Sequence, residues 1–196
     1  MITLPKIVLA SGSPRRSEIM AAVGWEFEKR VADVDESPVI GESPEDYVVR
    51  LAIEKAAAVA SEMPGRIVLG ADTTVVIDGE IIGKPTDLDD ARRMLKLLSG
   101  RRHEVLTGVA LVSGESVASG IERTGVIFSS LNDAEIDFLA EKGEPLDKAG
   151  AYAVQAQAAL FITGIEGDYW NVVGLPIGLV YRLFWQLQEV QQTSAV

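Results

Sequence analysis

Ser11-Gly12-Ser13-Pro14-Arg15-Arg16 follows directly on the apolar run Ile7-Val8-Leu9-Ala10. The run reads as a short buried strand. Pro14 suits the first position of a helix and Ser13 its N-cap; the helix continues through Ile19, Met20 and Val23 and ends before Gly24. Strand, small-residue loop and helix start, in that order, aim free backbone N–H groups and the positive end of the helix dipole at one point, which suits an anion. The same dipole disfavours cations in a first turn. Arg15 and Arg16 make sense there if a phosphate lies between the two positive elements, and arginine grips phosphate oxygens with two parallel hydrogen bonds. Two surface arginines beside an ordinary capped helix are the plainer reading.

Asp72 is the second chemical signal. It interrupts the most strand-like stretch, residues 66–77. A carboxylate among buried residues is costly unless it is paired, hydrogen-bonded or bound to metal. Gly70 and Ala71 before it leave room for a closely approaching group. A bend aspartate accepting backbone hydrogen bonds is the structural alternative, but an idle buried charge is the harder case to explain. Asp78-Gly79 then signals a tight hairpin, and the return strand delivers Lys84-Pro85. Paired in register, that hairpin brings Lys84 level with Asp72 and Thr73. The glycines of Gly79–Lys84 are one residue too close for a Walker A loop, and Pro85 replaces its Ser/Thr.

Three further residues read two ways each. Glu36, in the acidic loop Asp33-Val34-Asp35-Glu36-Ser37-Pro38, is a turn residue in water or a carboxylate for a metal or a base. Lys55 falls on the core-facing stripe of a helix with Tyr47 and Leu51, and either snorkels to solvent or reaches into a cleft. Gln155 follows the small-residue loop Lys148-Ala149-Gly150-Ala151-Tyr152 and is a loop amide or a partner for the polar edge of a base. His103, the only histidine, has no nucleophile motif near it and reads as a strand-end residue rather than a catalytic base.

The elements that must position these residues form an alternating pattern. A strand over 25–28 follows the first helix. Ser43-Pro44-Glu45-Asp46 opens a helix that runs to about Met63. After the hairpin, 87–98 is a helix whose inner face is Ala91, Met94, Leu95 and Leu98. Strands over 103–112 and 116–128 follow. Asn132 caps a helix through Ala140, and a last helix carries the stripe Leu179, Leu183, Leu187. The tail from about Gln191 is expected to fray.

The 196 residues predict a single domain spanning 1–196, of two closely packed lobes. A net charge of −11 argues against nucleic acid as a partner and makes a local basic cluster more informative. With no cysteine there is no disulfide, thiolate zinc site or cysteine nucleophile. No apolar run is long enough for a membrane span, and no signal peptide is seen, so no membrane partner and a cytoplasmic location are expected.

Taken together, Ala10–Arg16, Gly70-Ala71-Asp72-Thr73, Gly83-Lys84-Pro85, Leu98-Ser99-Gly100, Asp147-Lys148-Ala149-Gly150-Ala151-Tyr152 and Val173-Gly174-Leu175-Pro176 resemble the Maf family of nucleotide pyrophosphatases. The six blocks span nearly the whole chain in order. The resemblance implies an α/β fold around an elongated, bent mixed β-sheet flanked by helices, with two lobes and a central cleft, similar to inosine triphosphate pyrophosphatases. It implies metal-dependent hydrolysis of a nucleoside triphosphate to monophosphate and pyrophosphate, with Mg²⁺ or Mn²⁺ as the divalent cation, and it suggests a homodimer.

Carried over residue by residue, the resemblance makes Asp72 the proton acceptor. It makes Ser11, Ser13, Arg15 and Arg16 the phosphate binders, joined by Lys55 and Lys84, and Glu36 the loop acid that shares the metal with Asp72. Arg15, Thr73 and Gln155 resemble the members that act on dTTP and UTP, and the latter two would select a pyrimidine. The same reaction on 7-methyl-GTP or another modified nucleotide is the alternative within the family. A non-catalytic nucleotide-binding regulator of cell division is the alternative outside enzymology, and it would not need an acid at Asp72.

Overall fold

Strand β1, Ile7–Ala10, is buried along its whole length between two parallel neighbours in this computed structural model, which describes residues 4–194. One neighbour is β2, Phe27–Arg30, in the register Ile7↔Phe27 through Ala10↔Arg30. The other is β3, Val68–Ile77, in the register Val8↔Val68 and Leu9↔Leu69. The far end of β3 pairs antiparallel with β4, Glu80–Ile82. Asp78 and Gly79 turn between them with φ of 54° and 82°, the left-handed backbone that a tight hairpin requires. Strands β5, Arg102–Ser113, β6, Ser116–Phe128, and β7, Ile162–Glu166, complete seven strands in the order β2-β1-β3-β5-β6-β7, with β4 on β3. β6 and β7 are antiparallel, so the sheet is mixed and the fold α/β, as the sequence predicts. β7 has no counterpart in the sequence reading. It has a glycine at its centre and only partial burial, so neither alternation nor an apolar run marks it.

The helices are α1, Pro14–Ala22, α2, Pro44–Glu62, α3, Leu88–Leu98, α4, Asp133–Lys142, α5, Tyr169–Val173, and α6, Ile177–Ser194. Side chains at the starts of α2, α3 and α4 (Ser43, Asp87, Asn132) each accept the backbone N–H three residues on, with acids in the first turn. The buried residues of α3 are Ala91, Met94, Leu95 and Leu98, the predicted face. Leu179, Leu183 and Leu187 of α6 are buried too. α6 runs to Ser194, past Gln191, and the last two residues of the expected frayed tail lie outside the described residues. Among the described residues no helix is long and apolar enough to cross a membrane.

Two compact units emerge. The first is Met1–Asp72, Thr107–Glu122 and Gly174–Val196; the second is Thr73–Leu106 and Arg123–Val173. The first has a core of Val8, Ala10, Ala52, Ala56, Val59, Val68, Ala110 and Val112. In the second, Phe128, His103 and Tyr152 form a buried edge-to-face aromatic cluster.

Two glycines seat α2. A Cβ on Gly70 of β3 would lie 2.1 Å from the Ala52 carbonyl oxygen, and one on Gly108 of β5 would lie 2.1 Å from that of Val48. Val48 and Ala52 are one helical turn apart, so neighbouring strands hold successive turns of the helix by contact with its backbone. The group for which Gly70 leaves room is therefore α2. Backbone cannot yield as a side chain can, so Gly70→Ala or Gly108→Ala is expected to destabilise the fold by about 3 kcal/mol, read from urea unfolding. A loss below about 0.5 kcal/mol, within the range of ordinary surface substitutions, would contradict this seating.

Candidate active site

Because β1, β2 and β3 are parallel, what leaves their carboxyl ends emerges on one side. Residues 11–16 follow β1, and the loop with Glu36 follows β2. Asp72 lies on β3 beyond its last pair with β1, Leu9↔Leu69. The carboxyl ends of parallel strands are where α/β sheets hold ligands.

The seating of α2 on Gly70 drops Lys55, between Ala52 and Ala56, onto this end. Lys55 and Asp72 are both buried, at 8% and 9% exposure. The Lys55 Nζ lies 2.6 Å from Asp72 Oδ1 and 2.6 Å from Glu36 Oε1. The ammonium thus separates two carboxylates, one deep and one half-exposed. This settles the geometry of three predicted residues: Lys55 neither snorkels nor stands alone, and Glu36 is no idle turn acid.

The Glu36 loop is tied to α2 by residues that sequence reading missed. Tyr47 donates its hydroxyl to the Glu36 backbone carbonyl at 3.0 Å. Burial, and next the charges of Asp72 and Glu36, push the Tyr47 phenol up to about 12, so it stays a donor. Arg50 grips the Glu42 carboxylate at 2.7 and 2.8 Å and donates to the Ser37 carbonyl at 3.2 Å. The 47/50/54 spacing on the helix was the available signal.

Arg16 is tied into the fold. It is buried, its Nε donates to the Gly174 carbonyl at 2.8 Å, and its Nη1 donates to the Ala71 carbonyl at 2.8 Å and to Ser11 Oγ at 3.1 Å. Burial pulls the guanidinium below its ordinary pKa, and Asp72 opposes that. The Ala71 carbonyl lies past the β1 ladder, so a side-chain donor takes the place a strand would have filled. Arg16 braces the strand next to Asp72, and Ser11 braces Arg16. The sequence held a signal: Arg16, Ile19 and Met20 are spaced for one face, and all three are buried.

Arg15, on the other side of the turn, is only partly buried. Ser13 occupies the N-cap position with extended backbone, but its side chain makes no capping hydrogen bond. The expected cap is therefore not made; instead the Ser13 N–H donates to Ser11 Oγ at 3.2 Å. Of α1 to α4, only α1 lacks both a side-chain cap and an acid in its first turn.

The second unit carries the other three predicted residues. β3 pairs with β4 through Val75↔Ile82, and the same register carried two residues on sets Lys84 level with Thr73. Gly150 donates its N–H to the Gly83 carbonyl at 3.1 Å, which ties the loop leading to Gln155 to the residue before Lys84. Lys84 and Gln155 are exposed and Thr73 is partly so. Among the described residues no group of three or more His, Asp or Glu could hold a metal on its own.

His103 is a core residue, 1% exposed, with Nε2 2.7 Å from the Tyr152 hydroxyl. Burial, then the charge of Arg102, pulls its pKa down to about 4. The fold holds it neutral while the unfolded chain protonates near its ordinary 6.5, so its stability contribution is full above that value and is lost as pH falls toward 4. The protein is expected to be about 2 kcal/mol less stable at pH 5 than at pH 7.5 from this group. His103→Gln should flatten that difference in urea melts; an equal drop in the variant would assign it to carboxylates.

A model of the Maf-like protein family matches residues 6–187. A protein of Symbiobacterium thermophilum named dTTP/UTP pyrophosphatase is 50% identical over 183 residues, covering 93% of this chain and 94% of the relative. One of Anaeromyxobacter dehalogenans with the same name is 54% identical over 178 residues, covering 88% and 89%. One of Bacillus cereus, again so named, is 48% identical over 179 residues, covering 91% and 94%. Among solved structures, the Staphylococcus aureus Ham1 protein is similar with a TM-score of 0.43 and 18% identity, over 62% of this chain and 72% of that one.

Proposed function

The chain belongs to the Maf-like protein family, and on that premise we propose that it hydrolyses dTTP and UTP to the monophosphate and pyrophosphate. Relatives about half identical over most of both chains carry the name dTTP/UTP pyrophosphatase, which supports this substrate pair. The observation that carries the chemistry is the pair of carboxylates, Asp72 and Glu36, both held on the Lys55 ammonium at the carboxyl end of three parallel strands.

The carboxylate oxygens of Asp72 and Glu36 are the donor type that a hard divalent cation takes, and in this structure the Lys55 ammonium lies between them. Both groups offer oxygen, and two carboxylates are what the smaller such ions take from a protein when phosphates supply the rest. Asp72 and Glu36 would hold Mg²⁺ or Mn²⁺; when bound, the ion neutralises triphosphate charge and makes a coordinated water more acidic.

The side chains then divide the work. Arg15, Ser13 and the uncapped start of α1 receive phosphate oxygens, with Lys84 as a further cation. Lys55 holds Asp72 in place through the 2.6 Å ion pair. Asp72 takes the proton of a water as its oxygen bonds to the α-phosphorus. The bond from that phosphorus to the bridging oxygen breaks, and pyrophosphate leaves. Arg16 and Ser11 fix the frame beside Asp72. Thr73 and Gln155 face the base. We place the reaction in the cytoplasm, where nucleoside triphosphates are made and used, with a homodimer as the assembly. The test is a pyrophosphate-release screen with Mg²⁺ over dTTP, UTP, CTP, the purine triphosphates and 7-methyl-GTP. Preference for dTTP and UTP is expected. Preference for 7-methyl-GTP would overturn the substrate, and no release from any of them would overturn the activity.

A further inference from the structure

Gln155 alone cannot tell uracil from cytosine. A carboxamide accepts from N3–H and donates to O4 in one orientation, and flipped it accepts from N4–H and donates to N3. Discrimination must come from where the loop holds the amide. The loop is unusually constrained. Gly150 and Ala151 both have left-handed backbone, φ 69° and 64°, which is strained for alanine. A Cβ on Gly150 would lie 2.8 Å from Val75 Cγ2, so the turn sits directly on β3. Strain of this kind persists only where the surroundings over-determine the backbone.

Tyr152 supplies that determination. It follows the strained pair and is almost wholly buried. Its ring packs edge-on to Phe128 at 4.9 Å and to His103 at 5.4 Å. Its hydroxyl has the 2.7 Å contact with His103 Nε2, a polar tie from this ring into the sheet, since His103 is on β5 and Phe128 on β6. On its other side the turn is tied to β4 through Gly150 N–H and the Gly83 carbonyl. Fixing Tyr152 therefore fixes Lys84 through Gly83 and Gln155 three residues on.

We infer that His103, through the Tyr152 hydroxyl, is a positioning residue for base selection by the loop that carries Gln155. The inference rests on the proposed function, and it gives a role to a histidine that no step of the hydrolysis uses.

The experiment compares wild type with Tyr152→Phe, which keeps the ring and removes only the hydroxyl, and with His103→Gln, which keeps a polar partner for it. Two readouts are taken: the ratio of kcat/KM for UTP over CTP, and amide hydrogen exchange across residues 148–155. In Tyr152→Phe the ratio is expected to fall about tenfold, mostly through KM for UTP, with exchange in the loop faster than in the rest of the chain. His103→Gln should recover most of both. A ratio equal to wild type in Tyr152→Phe, or loop exchange unchanged, would overturn the inference and leave the pair as core packing. Lack of turnover in the wild type would overturn the functional reading and this inference with it; that result is distinct from turnover with unchanged discrimination.

Discussion

Asp72→Asn is expected to lower kcat by about 10³-fold or more while the fold and nucleotide binding persist. The substitution keeps the shape and removes the proton acceptor. Lys55 would retain Glu36 at 2.6 Å, so the buried ammonium is not left without a counter-charge. That separates chemistry from collapse: the circular dichroism melt should move by a few degrees at most, and the proposed phosphate binders near α1 are untouched. Glu36→Gln, at the half-exposed acid, should cost less, about 10²-fold, with more of the loss reversed by raising Mg²⁺. If Asp72→Asn turns over at the wild-type rate, the carboxylate is a strand-bend residue and the catalytic acid lies elsewhere.

The second large effect belongs to Arg16. Arg16→Lys is expected to destabilise the protein by about 3 kcal/mol and to lower kcat as well. Lysine cannot reach three acceptors in the plane that guanidinium does, so at least one of the Ala71 carbonyl, the Gly174 carbonyl and the Ser11 hydroxyl loses its Arg16 donor. Ala71 precedes Asp72, so slack there moves the carboxylate proposed as the proton acceptor. Arg15→Lys is the contrast: stability unchanged within about 0.5 kcal/mol and KM raised about tenfold, the pattern of lost ligand binding. Both are read from urea unfolding and steady-state kinetics. If the two variants behave alike, the brace and the phosphate contact have not been told apart.

The contrast between these arginines marks how far the sequence carries. Elements with strong local chemistry were legible: Pro14 and Pro44 at helix starts, the caps Ser43 and Asn132, the apolar face of α3, and the Asp78-Gly79 hairpin with its register. So was the suspicion attached to Asp72, since burial of a carboxylate demands a partner. The partner was not legible, because it comes from a helix whose approach depends on two glycines meeting its backbone. Which of two adjacent arginines turns inward was held in the Arg16, Ile19, Met20 spacing, which reading the pair as phosphate ligands passed over. Sheet order and β7 depend on long-range pairing that short motifs do not encode. The aromatic cluster around His103 was invisible for the same reason: Phe128 and Tyr152 are brought to it from other elements.

Hydrolysis of dTTP in ¹⁸O-water tests the central claim most directly. Attack on the α-phosphorus by a water held at Asp72 places the label in the monophosphate and leaves pyrophosphate unlabelled, with the signal gone in Asp72→Asn. Label in pyrophosphate would put the attack at the β-phosphorus, and release of inorganic phosphate in place of pyrophosphate would put it at the γ-phosphorus. Either would contradict the proposed attack on the α-phosphorus by a water held at Asp72.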